Sequence, residues 1–232
     1  MSRLFCTMFF GIAAAFVVLL FAPSAQADLI QDGGFESTPV PTGLYLDFGG
    51  GSTIGGVWNV QGNDVLLIQN NYTEPNGPGG SSLVFNAEQG SNSLDLTGAG
   101  NTGPTDGVTQ TVATVTGQTY ALSFWVGQAG GGSQYYLPPA IAGVSINGGA
   151  RVDFTNAANL PSGGVNWEQF TTDFTATSTS TTIGFYNDTP LYNNECGLDN
   201  VTLTAVPEPT RLLALSGLAS MGLLGLVWRK RK

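Results

Sequence analysis

The chain has 232 residues, 42% of them apolar, with 16 acidic side chains, 7 basic ones and no histidine. The missing histidine excludes Ser–His and Cys–His triads and imidazole zinc sites. Six of the basic residues lie at the two ends (Arg3, Arg211 and 229–232), so residues 28–206 carry 15 acids against Arg151 alone, a net charge near −14. Such a body repels phosphate backbones, which excludes nucleic acid as a partner.

Arg3 opens a positive n-region, residues 9–22 form an apolar h-region, and Ala25-Gln26-Ala27 supplies the small-x-small pattern of a cleavage site. Residues 1–27 therefore read as a signal peptide, with the mature chain starting at Asp28. The following stretch of about 179 residues is large enough for one domain with a real core. Despite its charge imbalance it is rich in apolar and aromatic residues, so a folded body is expected rather than a disordered one.

Helical periodicity is nearly absent from this body. Short alternating or β-branched runs bounded by Gly, Asn and Pro predict strands at 57–60, 65–69, 82–85, 93–96, 108–115 and 118–126. Further strands are predicted at 141–147, 166–176, 181–187 and 198–206. Tyr120, Leu122, Phe124 and Val126 fall on one face of their run, as do Phe170, Thr172 and Phe174 of theirs. About ten strands at this spacing predict an all-β fold, a sandwich of two antiparallel sheets. Trp58, Trp125 and Trp167 are expected in the core. Cys6 leaves with the signal peptide, so Cys196 has no internal disulfide partner and reads as a small buried side chain.

At the C-terminus, residues 212–228 form an apolar run, about 25 Å long as a helix and just sufficient for a thin bilayer core. The basic residues 229–232 would stay in the cytoplasm, placing the body outside. Val206-Pro207-Glu208-Pro209, then the apolar helix, then the basic cluster resemble the PEP-CTERM sorting signal of Gram-negative bacteria. That resemblance implies recognition by an exosortase, removal of the tail at or near the motif that opens residues 206–232, and release from a transient inner-membrane intermediate to the cell surface or extracellular matrix.

The body carries a second resemblance. QDGGFES at 31–37, NSLDLTG at 92–98, GVTQTVATVTGQTYALSFWV at 107–126, WEQFTTDFTATSTSTTIGF at 167–185 and GLDNVTL at 197–203 follow one another in a familiar order. Together they resemble the galactose-binding-like jelly-roll domains of carbohydrate-binding modules, and most of all the choice-of-anchor C secreted proteins. In such domains a structural Ca²⁺ ties the opening motif to the last strand. The resemblance implies Glu36 and Asp199 as its carboxylates, with Asp32 a weaker candidate; backbone carbonyls would complete the oxygen shell of a hard cation. The alternative is that both carboxylates serve turn hydrogen bonds.

Glycan binding needs an aromatic platform beside polar groups. Tyr135 and Tyr136, in the Gly- and Pro-rich loop at 127–140, are candidates, as are Tyr186 and Tyr192 beside Asn-rich turns. An enzyme would have to work with carboxylates, and no acid pair is marked out for glycoside hydrolysis. The expected function is thus a non-catalytic surface or matrix protein that binds extracellular polysaccharide. The alternative is a structural or adhesive protein acting through protein contacts.

Overall fold

The computed structural model describes residues 26–74, 82–130, 136–157, 163–191 and 195–207. Fourteen strands occur among them: β1 (Tyr45–Gly49), β2 (Thr53–Ile54), β3 (Trp58–Gln61), β4 (Asp64–Gln69), β5 (Tyr72–Glu74), β6 (Leu83–Phe85) and β7 (Asn92–Asp95). They continue with β8 (Gly107–Ala113), β9 (Thr119–Gly130), β10 (Ala140–Ile146), β11 (Val152–Asn156), β12 (Gly164–Thr175), β13 (Ser180–Asn187) and β14 (Gly197–Ala205). The front sheet runs β1-β4-β7-β14-β9-β12 and the back sheet β11-β10-β13-β8-β3-β2, with every pair antiparallel. This is the expected all-β jelly-roll sandwich. No described helix is long and apolar enough to cross a membrane; the segments at 9–22 and 212–228 lie outside the described residues.

Strand alternation sets the core. Val65 and Leu67 of β4, Leu94 of β7, Leu122, Phe124 and Val126 of β9 and Leu198 of β14 point inward from the front sheet and are fully buried. Trp58, Val108, Ile183 and Phe185 face them from the back sheet. The rings form a continuous series: Phe35 to Trp58 at 5.5 Å, Trp58 to Phe185 at 6.2 Å, Phe185 to Phe124 at 5.0 Å and Phe124 to Phe154 at 5.1 Å. Each such ring contributes about 1.5–3 kcal/mol by leaving water. Phe35 ties the opening motif into this series, and Trp58 fixes it again by donating its indole N–H to the Asp32 carbonyl. Of the three expected core tryptophans, Trp58 is in the core, whereas Trp125 and Trp167 are half-buried on the outer face of the front sheet.

A second, smaller cluster lies on that outer face. Ile68, Leu83, Phe85, Ala129 and Val165 are buried there, with Leu66, Tyr72, Tyr136 and Trp167 packed around them. The β5–β6 hairpin supplies Tyr72, Leu83 and Phe85 and so covers part of the sheet that would otherwise face water.

Candidate functional site

The register of the front sheet aligns one row of residues straight across it: Asp47, Leu66, Asp95, Gly197, Gly127 and Trp167. Paired residues share a face, so this row lies outward beside the satellite cluster. The two glycines are there because Trp167 covers them. A Cβ on Gly127 or on Gly197 would stand 2.8 Å from the indole Cη2. The indole N–H is held by the Asn86 carbonyl at 2.9 Å, which fixes the ring as a floor.

Next to this floor opens a cleft of about 230 Å³. Tyr45, Tyr72, Phe85 and Tyr136 line it with aromatic surface, Leu66 and Ile68 add aliphatic surface, and Glu74, Asp95 and the backbone at Gly98 and Ala99 supply polar groups. The rings support one another edge to face or tilted: Tyr45 to Tyr72 at 5.4 Å, Tyr72 to Phe85 at 5.7 Å and Phe85 to Tyr136 at 5.9 Å. The Tyr72 hydroxyl donates to the Glu74 carboxylate at 2.7 Å. Burial, reinforced by Glu74, raises the Tyr72 phenol well above its ordinary range.

Two carboxyls beside the glycine row are buried. Asp95 accepts the Thr97 N–H at 2.9 Å, the Thr97 hydroxyl at 2.7 Å and the Cys196 N–H at 3.1 Å. Loss of water outweighs these donors and pushes Asp95 up to about 6. Glu195 immediately precedes β14. Its Oε1 lies 3.1 Å from where a Cβ on Gly197 would be, which places the carboxyl over the same glycine row. It is 2% exposed, and its Oε2 has no hydrogen-bond partner among the described residues. Burial first and the Asp95 charge second raise its pKa well above the carboxylate range. Its backbone is also strained, with φ at +80° in a non-glycine residue, a cost of about 1–3 kcal/mol that recurs at working sites. Tyr136 completes the group: burial, then the charges of Glu195, Glu74 and Asp95, push its phenol upward.

Of the tyrosines predicted from sequence, Tyr136 is in this cleft. Tyr186 is on the back sheet, with the Arg151 guanidinium 3.8 Å above its ring and Arg151 in turn bonded to Asp188 at 2.7 Å. The structure does not bring these two tyrosines together. Tyr135 and Tyr192 lie outside the described residues, as do Glu208 and Pro209 of the sorting motif, whereas Val206 and Pro207 close the described chain. Tyr45, Tyr72, Phe85, Asp95 and Glu195 escaped the sequence reading. Asp95 had one usable signal, an acid set between the two buried leucines Leu94 and Leu96.

Glu36 and Asp199 come together on either side of Gly34: a Cβ there would sit 3.7 Å from Glu36 Cγ and 3.8 Å from Asp199 Oδ1. Glu36 Oε1 accepts the Ser91 and Asn92 N–H groups at 2.7 and 3.0 Å. Asp199 is fully buried where a bulge interrupts β14, and it accepts the N–H groups of Glu88, Gln89 and Asn200. Burial nevertheless pushes Asp199 up to about 7, with Glu88 adding to the rise. No cluster of three or more His, Cys, Asp or Glu side chains suited to a metal occurs among the described residues, so a cation here would draw on backbone carbonyls. Asp32 Oδ1 accepts the Ser37 N–H at 2.9 Å. Cys196 is fully buried, as its sequence context predicts.

A family model described as "Protein of unknown function (DUF642)" matches residues 28–204. The chain belongs to the DUF642 family. No curated protein sequence matches this DUF642 chain. Among solved structures it is similar to the Stig cyclase Fisc from Fischerella sp. TAU in complex with an indole compound. That match has a TM-score of 0.54 and 18% identity over 79% of this chain and 99% of the other. TmCBM61 in complex with β-1,4-galactotriose matches with a TM-score of 0.43 and 19% identity, over 78% of this chain and 99% of that one. The CBM22-1 xylan-binding domain of Paenibacillus barcinonensis Xyn10C matches with a TM-score of 0.43 and 17% identity, over 81% and 99%. At 18% identity, the cyclase shares a fold with the DUF642 chain and nothing further is carried across.

Proposed function

We propose that this chain is an exported, non-catalytic surface or matrix protein whose front-sheet cleft binds extracellular polysaccharide. One observation carries the reading: four aromatic side chains line one open cleft together with two carboxyl groups and backbone. A sugar ring offers an apolar C–H face and a polar rim, and such a lining matches both. Export is supported by the N-terminal segment. The Val206-Pro207-Glu208-Pro209 motif, apolar run and basic end support exosortase processing from an inner-membrane intermediate, in the manner of PEP-CTERM and choice-of-anchor C proteins.

Calorimetric titration of the purified protein with soluble polysaccharides tests this, including the producing cell's own exopolysaccharide. Tyr136→Ala should weaken binding about tenfold or more, because stacking and enclosure of one ring contribute on the order of 1–3 kcal/mol, while Tyr186→Ala should leave it unchanged. Equal loss in both variants, or no saccharide bound, would overturn the reading. Release of reducing ends would overturn its non-catalytic part.

The same proposal gives the fold a Ca²⁺ between Glu36 and Asp199. A divalent cation would compensate a buried carboxylate for which N–H donors alone are insufficient. Chelation should then lower the melting temperature of the wild type and leave that of Asp199→Asn unaltered. A wild-type melt indifferent to chelator would remove the ion.

A further inference from the structure

The charges around the cleft are all of one sign. Glu74 and Asp95 line it, Glu195 lies close enough to act electrostatically on the lining residues Asp95 and Tyr136, and Asp64 close enough to act on Asp95. Arg151 is the one basic side chain among the described residues. It belongs to the back sheet, where Asp188, the Pro104 carbonyl and the Tyr186 ring occupy it. The cleft therefore has no internal counter-charge. Glu195 makes this acute, being 2% exposed with an oxygen that nothing among the described residues satisfies. Aromatic faces beside carboxyls that lack a counter-charge are the setting that water-excluding sites use to hold an organic cation.

We propose that the cleft selects saccharides bearing a protonated amine, with the ammonium group seated between the Asp95 and Glu195 carboxyls and the faces of Tyr72 and Tyr136. This deepens the polysaccharide reading and rests on it. A neutral sugar could use the aromatic wall alone, but it would leave Glu195 buried and unmatched. An ammonium donates three N–H groups and a charge, answering both needs at once.

The seat also binds protons. The titratable groups facing Asp95 and Glu195 are Asp64 from β4, Glu74 and Tyr72 from β5, Tyr136 from the β9–β10 connection, and the Cys196 thiol. Burial first, and then the charges of the neighbouring carboxylates, make Asp95 and Glu195 keep their protons to higher pH than usual in the empty cleft. An arriving ammonium favours the ionised carboxylates, so those protons leave to solvent as the ligand enters. Binding should strengthen as pH rises from about 5 to 7.

The test is calorimetric titration of the whole protein at pH 6 in two buffers of different ionisation enthalpy. Four probes are used: glucosamine oligomers, their N-acetylated counterparts, a neutral β-1,4-galactan oligomer, and tetramethylammonium. The expected result is that glucosamine oligomers bind about tenfold or more tightly than the acetylated ones and release protons in doing so. Glu195→Gln should abolish most of that preference and of the proton release. Glu74→Gln, at the rim, should lower the preference about two- to threefold and guards against a Glu195 variant that fails to fold. Equal binding of amine, acetylated and neutral oligomers would overturn the inference while leaving the polysaccharide reading intact. Tetramethylammonium binding with no saccharide bound would uphold the cation seat and overturn the polysaccharide reading. Binding of none of the four would overturn both.

Discussion

The outer faces of the two sheets pose the same problem and solve it differently. Each presents tyrosine beside acid. On the back sheet Arg151 settles the matter: its guanidinium covers Tyr186 and bonds Asp188 at 2.7 Å, so ring and charge are both spent inside the molecule. On the front sheet Tyr45, Tyr72 and Tyr136 stand around Glu74, Asp95 and Glu195 with no cation among them. A face whose tyrosine and nearest acid already hold a cation is surface. A face that keeps aromatic area open and carboxyls unmatched holds interaction energy in reserve, at some cost to the empty protein.

The sharpest way to break this contrast is to collapse one face. Phe85 is 5% exposed and joins Tyr72 to Tyr136. Phe85→Ala should lower stability by about 3 kcal/mol in chemical denaturation and abolish saccharide binding with it. An intact melt with intact binding would mean the aromatic wall is not one unit.

The next largest effect is in pH. Asp95 has a folded pKa of about 6, raised above its unfolded value. Between about pH 4 and 6 the folded state keeps a proton that the unfolded state has lost. Stability is therefore highest below that window and falls as pH rises through it, by up to about 3 kcal/mol for two pKa units. Glu195 acts in the same direction. Glu195→Gln should flatten the decline and leave the variant more stable than wild type at pH 8, even as it loses ligand. A variant less stable than wild type at pH 8 would contradict a costly buried carboxyl.

The smallest effect is expected where the face is already settled. Arg151→Met removes a half-exposed ion pair and a cation–π contact, about 1–2 kcal/mol together. Thermal denaturation should register that loss, and saccharide titration should register none.

The central strands could be read from the chain because they are buried on at least one face, and the alternation this imposes is plain in Tyr120-x-Leu122-x-Phe124-x-Val126. The strands that escaped were β1, β2, β5 and β11. Three of them are sheet edges and the fourth belongs to a short hairpin, where one flank meets water and little constrains the pattern. β11, for instance, exposes three of its five residues. The site suffered for the same reason, because Tyr45 and Tyr72 sit in two of these strands. Tyr136 was legible because its loop is so rich in Gly and Pro. The glycine row under Trp167 was not, since Gly127 and Gly197 are 70 positions apart and meet only through cross-strand register. Glu195 is set apart by a left-handed backbone and a missing partner, neither of which leaves a trace in composition.

Backbone chemical-shift mapping of the isotope-labelled protein during titration with glucosamine oligomers probes the central claim most directly. The account predicts saturable shifts concentrated at Tyr45, Tyr72, Asp95, Tyr136 and Glu195, with the back-sheet residues Arg151 and Tyr186 silent. Shifts centred on Arg151 and Tyr186, or scattered without saturation over both faces, would contradict it.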